Sequence, residues 1–352
     1  MKIKSLEIGD LIAEKPIIQG GMGVGISLDR LASAVMKEGG IGVLSGAQIG
    51  FLEPDFYHNT VEANVRALKN YVRKVRETAG SGILGVNLMV AMQNYERYVR
   101  EAVRAGVDLI ISGAGLPVHL PKYVEDSGTK IAPIVSSLKS VQVICKLWDR
   151  KYHTAPDLVI IEGPKAGGHL GFRMEELENM GEINYDLEIV NIIEYVRSVE
   201  KKYGKKIPVV VAGGIYDRKD MKKALLLGAD GVQAATRFVT TRECDAAKEY
   251  KDAYIRAGKE DIILVKSPVG MPGRAIRNQF IGKISEKKQG VEKCYRCIST
   301  CNPNTTPYCI TEALIQAVTG NIEEGLIFCG VNAWRSEDVY KRQEQFFRIW
   351  RA

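Results

Sequence analysis

Short apolar stretches recur along the chain, and each has about the length of one β-strand. Most are rich in β-branched residues and lack strict alternation of apolar and polar positions, which is typical of strands buried on both faces of a parallel sheet. The stretches are PIIQ (16–19), IGVLS (41–45), LGVNLMV (84–90), LIIS (109–112), IAPIVS (131–136), LVIIE (158–162), PVVVA (208–212) and GVQAATRF (231–238).

Helical patterns lie between these stretches, and several of them end at glycine. SLDRLASAVMKEGG predicts a helix that begins at Ser27 as N-cap and ends at the glycine pair 39–40. Later helices are expected to end at Gly106, Gly204 and Gly228. Glycine is favoured just past a helix because it adopts positive φ angles without strain.

This alternation predicts an α/β fold, a (β/α)8 TIM barrel, because eight strands and their helices occupy about 240 residues. The alternative is a doubly wound open sheet, which would have fewer repeats and a glycine fingerprint after its first strand. GGMGVG (20–25) follows the first strand, but it has no good GxGxxG register followed by a strand that ends in an acidic residue. We therefore prefer the barrel.

The rhythm of strands and helices breaks after the eighth strand and resumes near PYCITEALIQAVTGNIEEGLIFCG. We expect residues 1–244 and 307–352 to form the barrel and residues 245–306 to form a small inserted lid or substrate subdomain. Within GMPGRAIRN, Arg274 and Arg277 could meet an anionic group, although a solvated loop explains the same residues equally well.

The chain of 352 residues is 45% hydrophobic and 26% charged, which is ordinary globular composition. Its net charge of +7 is spread over the sequence without a basic stripe interleaved with aromatic residues, so we expect a small-molecule substrate and no nucleic acid. No apolar run is long enough to span a membrane, and MKIKSLEIGDLIAEKP lacks the features of a signal peptide. We expect a cytoplasmic protein that does not bind membranes, and a homodimer stays open.

Glycine and polar residues gather at the ends of the predicted strands, where barrel enzymes have their active sites. AGG (212–214) after the seventh strand and AAT (234–236) after the eighth leave backbone N–H groups free, as phosphate sites in barrels do. The alternative for AGG is a plain tight turn. A phosphate held there beside further bare backbone suggests FMN as the cofactor, while Lys165 keeps pyridoxal phosphate as a weaker alternative.

Several motifs, in their order along the chain, carry a family resemblance: PIIQGGMG, GVNLM, EGPKAGGH, VVVAGGI, GVQAATRF and SPVGMPGRAIRN. With them the chain resembles the nitronate monooxygenase family, formerly called 2-nitropropane dioxygenases. The same superfamily contains flavin-dependent enoyl-acyl-carrier-protein reductases and NADH:quinone reductases. The resemblance implies an FMN barrel whose cofactor-binding residues are Gly20, Gly21, Met22, Asn87, Glu162, Gly167, Gly168, Gly213, Gly214, Gln233, Ala234, Ala235 and Thr236.

Two of these positions depart from the pattern of the family. Glu162 stands where many relatives have glutamine, and Ala235 stands where relatives often have glycine. Alanine still offers its N–H group but tolerates fewer backbone angles, which puts the exact phosphate geometry in question.

His169 is the expected catalytic residue. The resemblance implies that it points over the flavin and acts on an acidic C–H of the substrate. The ordinary pKa of imidazole suits base work near neutrality, so His169 could deprotonate a nitroalkane or hold a nitronate. The nitronate would give an electron to FMN, and the resulting semiquinone would react with oxygen. The alternative is a turn histidine that caps backbone groups. We expect His58, His119 and His153 to be structural or on the surface.

Two other functions stay open beside nitronate oxidation by oxygen. One is an NAD(P)H-dependent enoyl-acyl-carrier-protein or quinone reductase on the same barrel, in which His169 would orient the acceptor. The other is a flavin-binding protein without turnover.

The cysteines offer a different chemistry. Their number, seven, is odd, which argues against a disulfide framework, but four of them form the pattern Cys294-x2-Cys297-x3-Cys301-x7-Cys309. Such spacing can bind an iron–sulfur cluster or zinc. Another flavin barrel family binds [4Fe–4S] with a longer last gap, and Cys309 also suits a place in the core. We expect no metal, with a cluster as the alternative.

Overall fold

The computed structural model describes residues 3–182 and 184–336. Its strands, in chain order, are β1 (Leu6–Ile8), β2 (Leu11–Ala13), β3 (Ile17–Gln19), β4 (Gly42–Ser45), β5 (Leu84–Met89), β6 (Leu109–Gly113), β7 (Lys130–Val135), β8 (Val159–Glu162), β9 (Gly168–His169), β10 (Val209–Ala212), β11 (Gly231–Ala234), β12 (Ile262–Lys266) and β13 (Pro272–Ile276).

The helices follow the strands in the order that the sequence predicts. They are α1 (Asp29–Lys37), α2 (Thr60–Ala79), α3 (Tyr95–Arg104), α4 (Leu120–Tyr123), α5 (Leu138–Tyr152), α6 (Met174–Glu178), α7 (Tyr185–Tyr203), α8 (Arg218–Leu226), α9 (Thr236–Val239), α10 (Lys248–Arg256), α11 (Gln279–Glu286) and α12 (Ile310–Val318). Short 3-10 turns occupy Met180–Glu182, Lys259–Asp261 and Ala333–Arg335.

The predicted barrel is confirmed. Eight parallel strands form one sheet in the order β3-β11-β10-β8-β7-β6-β5-β4. A bridge between Ile18 and Ile41 joins its two edges. There the N–H of Gln19 donates to the Ile41 carbonyl at 3.0 Å, and the N–H of Ile41 donates to the Ile17 carbonyl at 2.9 Å. The sheet therefore closes on itself, and each of the eight predicted apolar stretches supplies one strand.

Alternate strand residues face the barrel interior and the surrounding helices. Val43 and Ile160 belong to the interior cluster, whereas their neighbours Leu44 and Ile161 pack in the cluster between strands and helices. Each such side chain is completely buried, which contributes about 1.5–3 kcal/mol for a valine, leucine or isoleucine. This two-sided burial explains why the strands read as continuous apolar runs.

The hairpin of β1 and β2 belongs to the interior cluster. Leu6, Ile8 and Ala13 pack there with the strand residues. Pro16, directly after the hairpin, accepts the N–H of Val232 at 2.9 Å near the amino-terminal ends of the strands. The hairpin therefore covers that end of the barrel, and the carboxyl ends of the strands remain for a site.

The predicted glycine stops are confirmed, but the predicted helix start at Ser27 is wrong. Gly106, Gly204 and Gly228 all follow their helices with positive φ angles. Helix α1 begins at Asp29, and the carboxylate of Asp245 accepts the N–H groups of Leu28 at 2.8 Å and Leu31 at 3.3 Å.

The Ser27 hydroxyl instead forms hydrogen bonds with the preceding glycine-rich loop. It accepts the N–H of Met22 at 2.9 Å and donates to the Met22 carbonyl at 3.2 Å. The loop thus folds back on itself, and the helix is capped by a residue more than 200 positions away.

The chain leaves the repeat after α9. Helix α10 packs Tyr250 and Tyr254 into the main core. Strands β12 and β13 form an antiparallel pair, and β9 extends this pair to a three-stranded sheet. A separate apolar cluster lies there, built from residues between 265 and 328 that include Phe280, Tyr308 and Phe328.

We keep as a proposal the division into a barrel (1–244 and 307–352) and a lid (245–306). Helix α12 contributes side chains to both apolar clusters. Residues 1–2, 183 and 337–352 of these predicted segments lie outside the described residues. Within the described ranges, no helix combines the length and the apolar character that crossing a membrane requires.

Candidate active site

A cavity of about 210 Å³ lies at the carboxyl ends of the barrel strands. Its wall is built from the loops that follow β3, β8, β10 and β11, from the end of β5 and from the segment around residues 328–332. The predicted site residues that line it are Gly20, Gly21, Met22, Asn87, Glu162, Gly167, Gly168, His169, Gly213, Gly214, Gln233, Ala235 and Thr236.

Ala234 is the predicted residue that lies behind this wall. It is 1% exposed at the end of β11 and packs in the main core. Its carbonyl accepts the N–H of Gly20 at 2.8 Å, which fixes the glycine loop after β3 against the end of β11.

The glycines after β3 allow a close approach between neighbouring loops. A Cβ atom added to Gly21 would lie 2.4 Å from the Cβ of Asn87, and one added to Gly23 would lie 2.6 Å from the Ser45 hydroxyl oxygen. Real Cβ atoms do not approach other atoms so closely. Only glycine lets this loop pack directly on the ends of β4 and β5 while its backbone faces the cavity.

The loop after β10 has its own reason for glycine. Gly213 and Gly214 have φ angles of +93° and +82°, which strain any residue with a side chain. The segment after residue 328 forms hydrogen bonds with the residues just after β10 and β11. Asn332 donates to the Gly214 carbonyl at 2.7 Å, and the N–H of Gly330 donates to the Thr236 hydroxyl at 3.2 Å.

Lys165 brings a positive charge to the cavity wall beside the glycine pair. A Cβ on Gly214 would lie 3.0 Å from the Cβ of Lys165, so the lysine stem runs directly against that loop. Bare backbone N–H groups next to an ammonium group favour a bound anion.

Glu162, at the end of β8, places a carboxyl group in the cavity wall. Burial raises its pKa to about 7. No ion pair joins it to a described Lys, Arg or His residue. Tyr185 supports the backbone here, because its hydroxyl donates to the carbonyls of Ser136 at 2.9 Å and Glu162 at 3.2 Å. The carboxyl group can therefore hold or release a proton near neutral pH.

His169 lies in β9, which pairs with β13 so that His169 is opposite Gly273. Its ring packs edge-on against Phe328 with centroids 5.0 Å apart, and Nε2 shares a 2.7 Å hydrogen bond with the Ser267 hydroxyl. Burial lowers the pKa of His169 to about 4. The premise of an ordinary imidazole pKa is therefore wrong: the ring is neutral at pH 7, but it is a weak base.

The other histidines lie outside the cavity wall. His119 shares a 2.6 Å hydrogen bond with the Tyr152 hydroxyl, and His153 directly follows α5. Arg274 is 4% exposed, and its guanidinium donates to the Ala166 carbonyl. The solvated-loop alternative is therefore wrong for Arg274, whereas Arg277 is exposed.

The upper wall of the cavity contains residues between 254 and 332 that the sequence analysis did not predict to line a site. Ser267 lies outside the wall, and its hydroxyl is hydrogen-bonded to His169. Tyr254 donates to the Phe328 carbonyl at 2.5 Å, which fixes the backbone of the residue whose ring packs against His169. The motif SPVGMPGRAIRN begins at Ser267, so the sequence contains a signal for this segment. The sequence does not indicate that Ser267 bonds to His169. The wall residues of this group are Tyr254, Leu314, Phe328, Cys329, Gly330 and Asn332.

The profile of the nitronate monooxygenase family matches residues 5–344. The chain belongs to the nitronate monooxygenase family. It is an oxidoreductase of this family, with the barrel fold described above. A probable nitronate monooxygenase from Staphylococcus aureus (strain Newman) is 26% identical over 300 residues, which cover 78% of this chain and 79% of the relative. The protein from strain JH9 is 26% identical over 308 residues.

Solved structures resemble this member of the family over nearly its whole length. FabK from Thermotoga maritima has a TM-score of 0.71 and 26% identity, and the match covers 96% of this chain and 92% of FabK. Nitroalkane oxidase from Streptomyces ansochromogenes has a TM-score of 0.68 and 18% identity, with 95% and 94% covered, which supports the fold alone.

Proposed function

We propose that this family member uses FMN to oxidise alkyl nitronates with oxygen, as a cytoplasmic enzyme acting on a small-molecule substrate. The family match and the cavity at the strand ends support this proposal. The single observation that carries it is that a neutral, buried histidine and bare glycine loops line the same cavity.

The residues of the cavity fit a flat phosphorylated cofactor. Side chains at Gly20 and Gly21 would crowd the neighbouring Ala235 and Asn87, so only backbone faces the cavity there. Gln233 has a buried oxygen, Oε1, without a hydrogen-bond partner among the described residues. A cofactor that donates a hydrogen bond would satisfy this oxygen, which otherwise costs free energy. Gly213, Gly214 and Lys165 would hold the phosphate, while Met22, Asn87 and Gly167 would face the ring system.

FMN, when bound, supplies the redox centre that accepts electrons from the nitronate and passes them to oxygen. The chain itself positions the substrate. His169 is neutral near pH 7, and its Nδ1 has no hydrogen-bond partner among the described residues. A neutral imidazole with a pKa near 4 removes a carbon-bound proton poorly, so we infer that His169 holds a preformed nitronate rather than deprotonating a nitroalkane.

Ser267 and Phe328 determine the orientation of the His169 ring. The Ser267 hydroxyl fixes Nε2, and the Phe328 ring restricts the plane of the imidazole. The carboxyl group of Glu162, with its pKa of about 7, is the group in the described wall that can exchange a proton near neutral pH.

Two assays test the proposal on the full chain loaded with FMN. Propionate 3-nitronate or ethylnitronate should be consumed together with oxygen, and NADH or NADPH should bleach the flavin slowly or not at all under anaerobic conditions. Rapid bleaching by a reduced nicotinamide without nitronate turnover would contradict the proposal.

The second candidate is an NAD(P)H-dependent enoyl-acyl-carrier-protein or quinone reductase. The likeness to FabK, an enoyl-acyl-carrier-protein reductase, favours it. In that case His169 would orient the acceptor, and the nicotinamide assay would give the fast reaction. If neither assay changed the flavin spectrum, a flavin-binding protein without turnover would be favoured.

A further inference from the structure

The segment from Lys293 to Cys309 contributes nothing to the reaction proposed above. It carries four cysteines, at positions 294, 297, 301 and 309, and all four are free thiols. We propose that these four cysteines bind a thiophilic metal centre, an iron–sulfur cluster or a zinc ion, on the outer wall of the barrel mouth. This proposal reverses the expectation of no metal, and it does not depend on the identity of the substrate.

The first argument is that three of the thiols surround one cavity. A cavity of about 310 Å³ is lined by Cys294, Cys297 and Cys301, together with residues that include Gln93 and Arg296. Cys294 is exposed and the others are half-buried, so the site is open to solvent on one side, which gives a metal a path of entry.

The second argument is that the backbone of this segment is held in place from two sides. The N–H of Gln93 donates to the Cys297 carbonyl at 3.0 Å, and the N–H of Ser299 donates to the Ala91 carbonyl at 2.9 Å. Tyr295 is 6% exposed and stacks on Phe56 with centroids 5.6 Å apart. These contacts fix the backbone, which restricts where the cysteines between the anchors can reach.

The third argument is that Cys297 lies in the middle of the group. The Cys294 and Cys301 thiols both lie close enough to Cys297 to act on it electrostatically, and Cys297 lies equally near Cys309. The four sulfur atoms are therefore neighbours, as ligands of one metal centre must be.

Backbone N–H groups also point at the sulfur atoms. Arg296 has a φ angle of +48°, and this turn brings its N–H to 3.4 Å from the Cys294 sulfur. The N–H groups of Thr311 and Glu312 in the first turn of α12 likewise point at the Cys309 sulfur. Hydrogen bonds to sulfur favour the thiolate, which is the form that binds metals.

The sulfurs are not yet gathered around one point. Within the described ranges, no three His, Cys, Asp or Glu side chains form a group that could hold a metal ion. Binding therefore requires the cysteine side chains to turn toward a common point. The loop of Cys297 is hydrogen-bonded to residues 91–93, and Cys309 directly precedes α12. Because α12 carries Leu314 of the main cavity wall, the proposed metal site adjoins segments next to that cavity.

The test begins with the full-length protein purified without oxygen, in which iron, zinc and acid-labile sulfide are measured. The proposal predicts either about four iron and four sulfide ions with a brown colour, or about one zinc ion without colour, per chain. Material free of all three, and unchanged after incubation with iron and sulfide or with zinc under reducing conditions, would overturn it.

Variants locate the metal. Cys297→Ser and Cys309→Ser should each lower the bound metal at least tenfold, whereas Cys145→Ala, at a buried cysteine in α5, should keep it. Retained metal in both serine variants would overturn the proposal.

A second readout uses the wild-type chain, so it does not depend on how the variants fold. Iodoacetamide should alkylate the exposed Cys294 at least tenfold more slowly before the metal is removed than afterwards. Equal rates would contradict ligation by this cysteine.

Discussion

The floor and the roof of the main cavity are built in different ways. The floor consists of backbone at the ends of parallel strands, where Gly21, Gly213 and Gly214 keep side chains away. The roof consists of side chains, which are His169 and residues beyond the barrel repeat, among them Phe328 and Tyr254. The floor is therefore suited to hold a cofactor by its N–H groups, and the roof is suited to orient what lies above it.

The difference predicts that changes in the floor abolish cofactor binding, whereas changes in the roof leave the cofactor bound and slow the reaction. The expected effects decrease in the order in which the variants follow.

Gly21→Ala should have the largest effect. Its new Cβ would lie 2.4 Å from that of Asn87, so the loop must move away from β5. We expect FMN affinity to fall by more than about 1,000-fold, the equivalent of roughly 4 kcal/mol. Fluorescence titration of FMN measures this. Gly128→Ala, where nothing lies within 4 Å of the new atom, is the matched control and should bind FMN normally. Unchanged affinity in Gly21→Ala would remove the argument for a backbone cradle.

His169→Gln tests the roof directly. The variant should retain FMN, while kcat/KM for a nitronate should fall on the order of 1,000-fold because the substrate loses its hydrogen-bonding partner. Steady-state oxygen consumption gives the rate, and the flavin spectrum confirms loading. His58→Gln, outside the cavity wall, is the control. A variant with full turnover would mean that His169 has a structural role.

Glu162→Gln probes the carboxyl group at the end of β8, beside the floor, through the stability of the protein. Because the pKa rises from 4.5 to about 7 on folding, the wild-type protein loses stability as pH increases through this window. Below pH 4.5 the carboxyl is protonated in both states, and its contribution is retained. The variant lacks this loss. When both proteins are free of flavin, its free energy of unfolding should exceed that of wild type by roughly 3 kcal/mol at pH 8 and should equal it near pH 4. Urea unfolding at both pH values checks this, and a constant difference would contradict it.

Ser267→Ala should have the smallest effect. It removes the 2.7 Å hydrogen bond to Nε2 of His169 but leaves the packing against Phe328. We expect kcat/KM to fall about tenfold with FMN binding unchanged, since one positioning hydrogen bond contributes about 1.4 kcal/mol. Ser267→Thr should restore most of the rate. The exposed Ser198→Ala serves as control, and an equal loss there would exclude a specific role for Ser267.

The floor could be predicted from the sequence because its determinants are local. Buried parallel strands appear as apolar runs, their carboxyl ends must meet at one mouth, and glycine at Gly21 or Gly213 marks where backbone is exposed. Each of these signals lies within a few residues of the feature that it predicts.

The contacts within the roof could not be predicted because they join distant parts of the chain. Ser267 and His169 are 98 positions apart in the sequence. Asp245, which accepts the first N–H groups of α1 in place of Ser27, lies more than 200 positions from that helix. The low pKa of His169 has the same origin, since it depends on burial beneath segments that carry no periodic pattern.

The flavin content of the purified chain tests the central claim most directly. We predict a yellow protein that holds stoichiometric FMN, or takes it up when flavin-free, and whose flavin is reduced by a nitronate without oxygen and reoxidised when oxygen is admitted. A colourless protein that takes up no added FMN would contradict the account of the cavity floor.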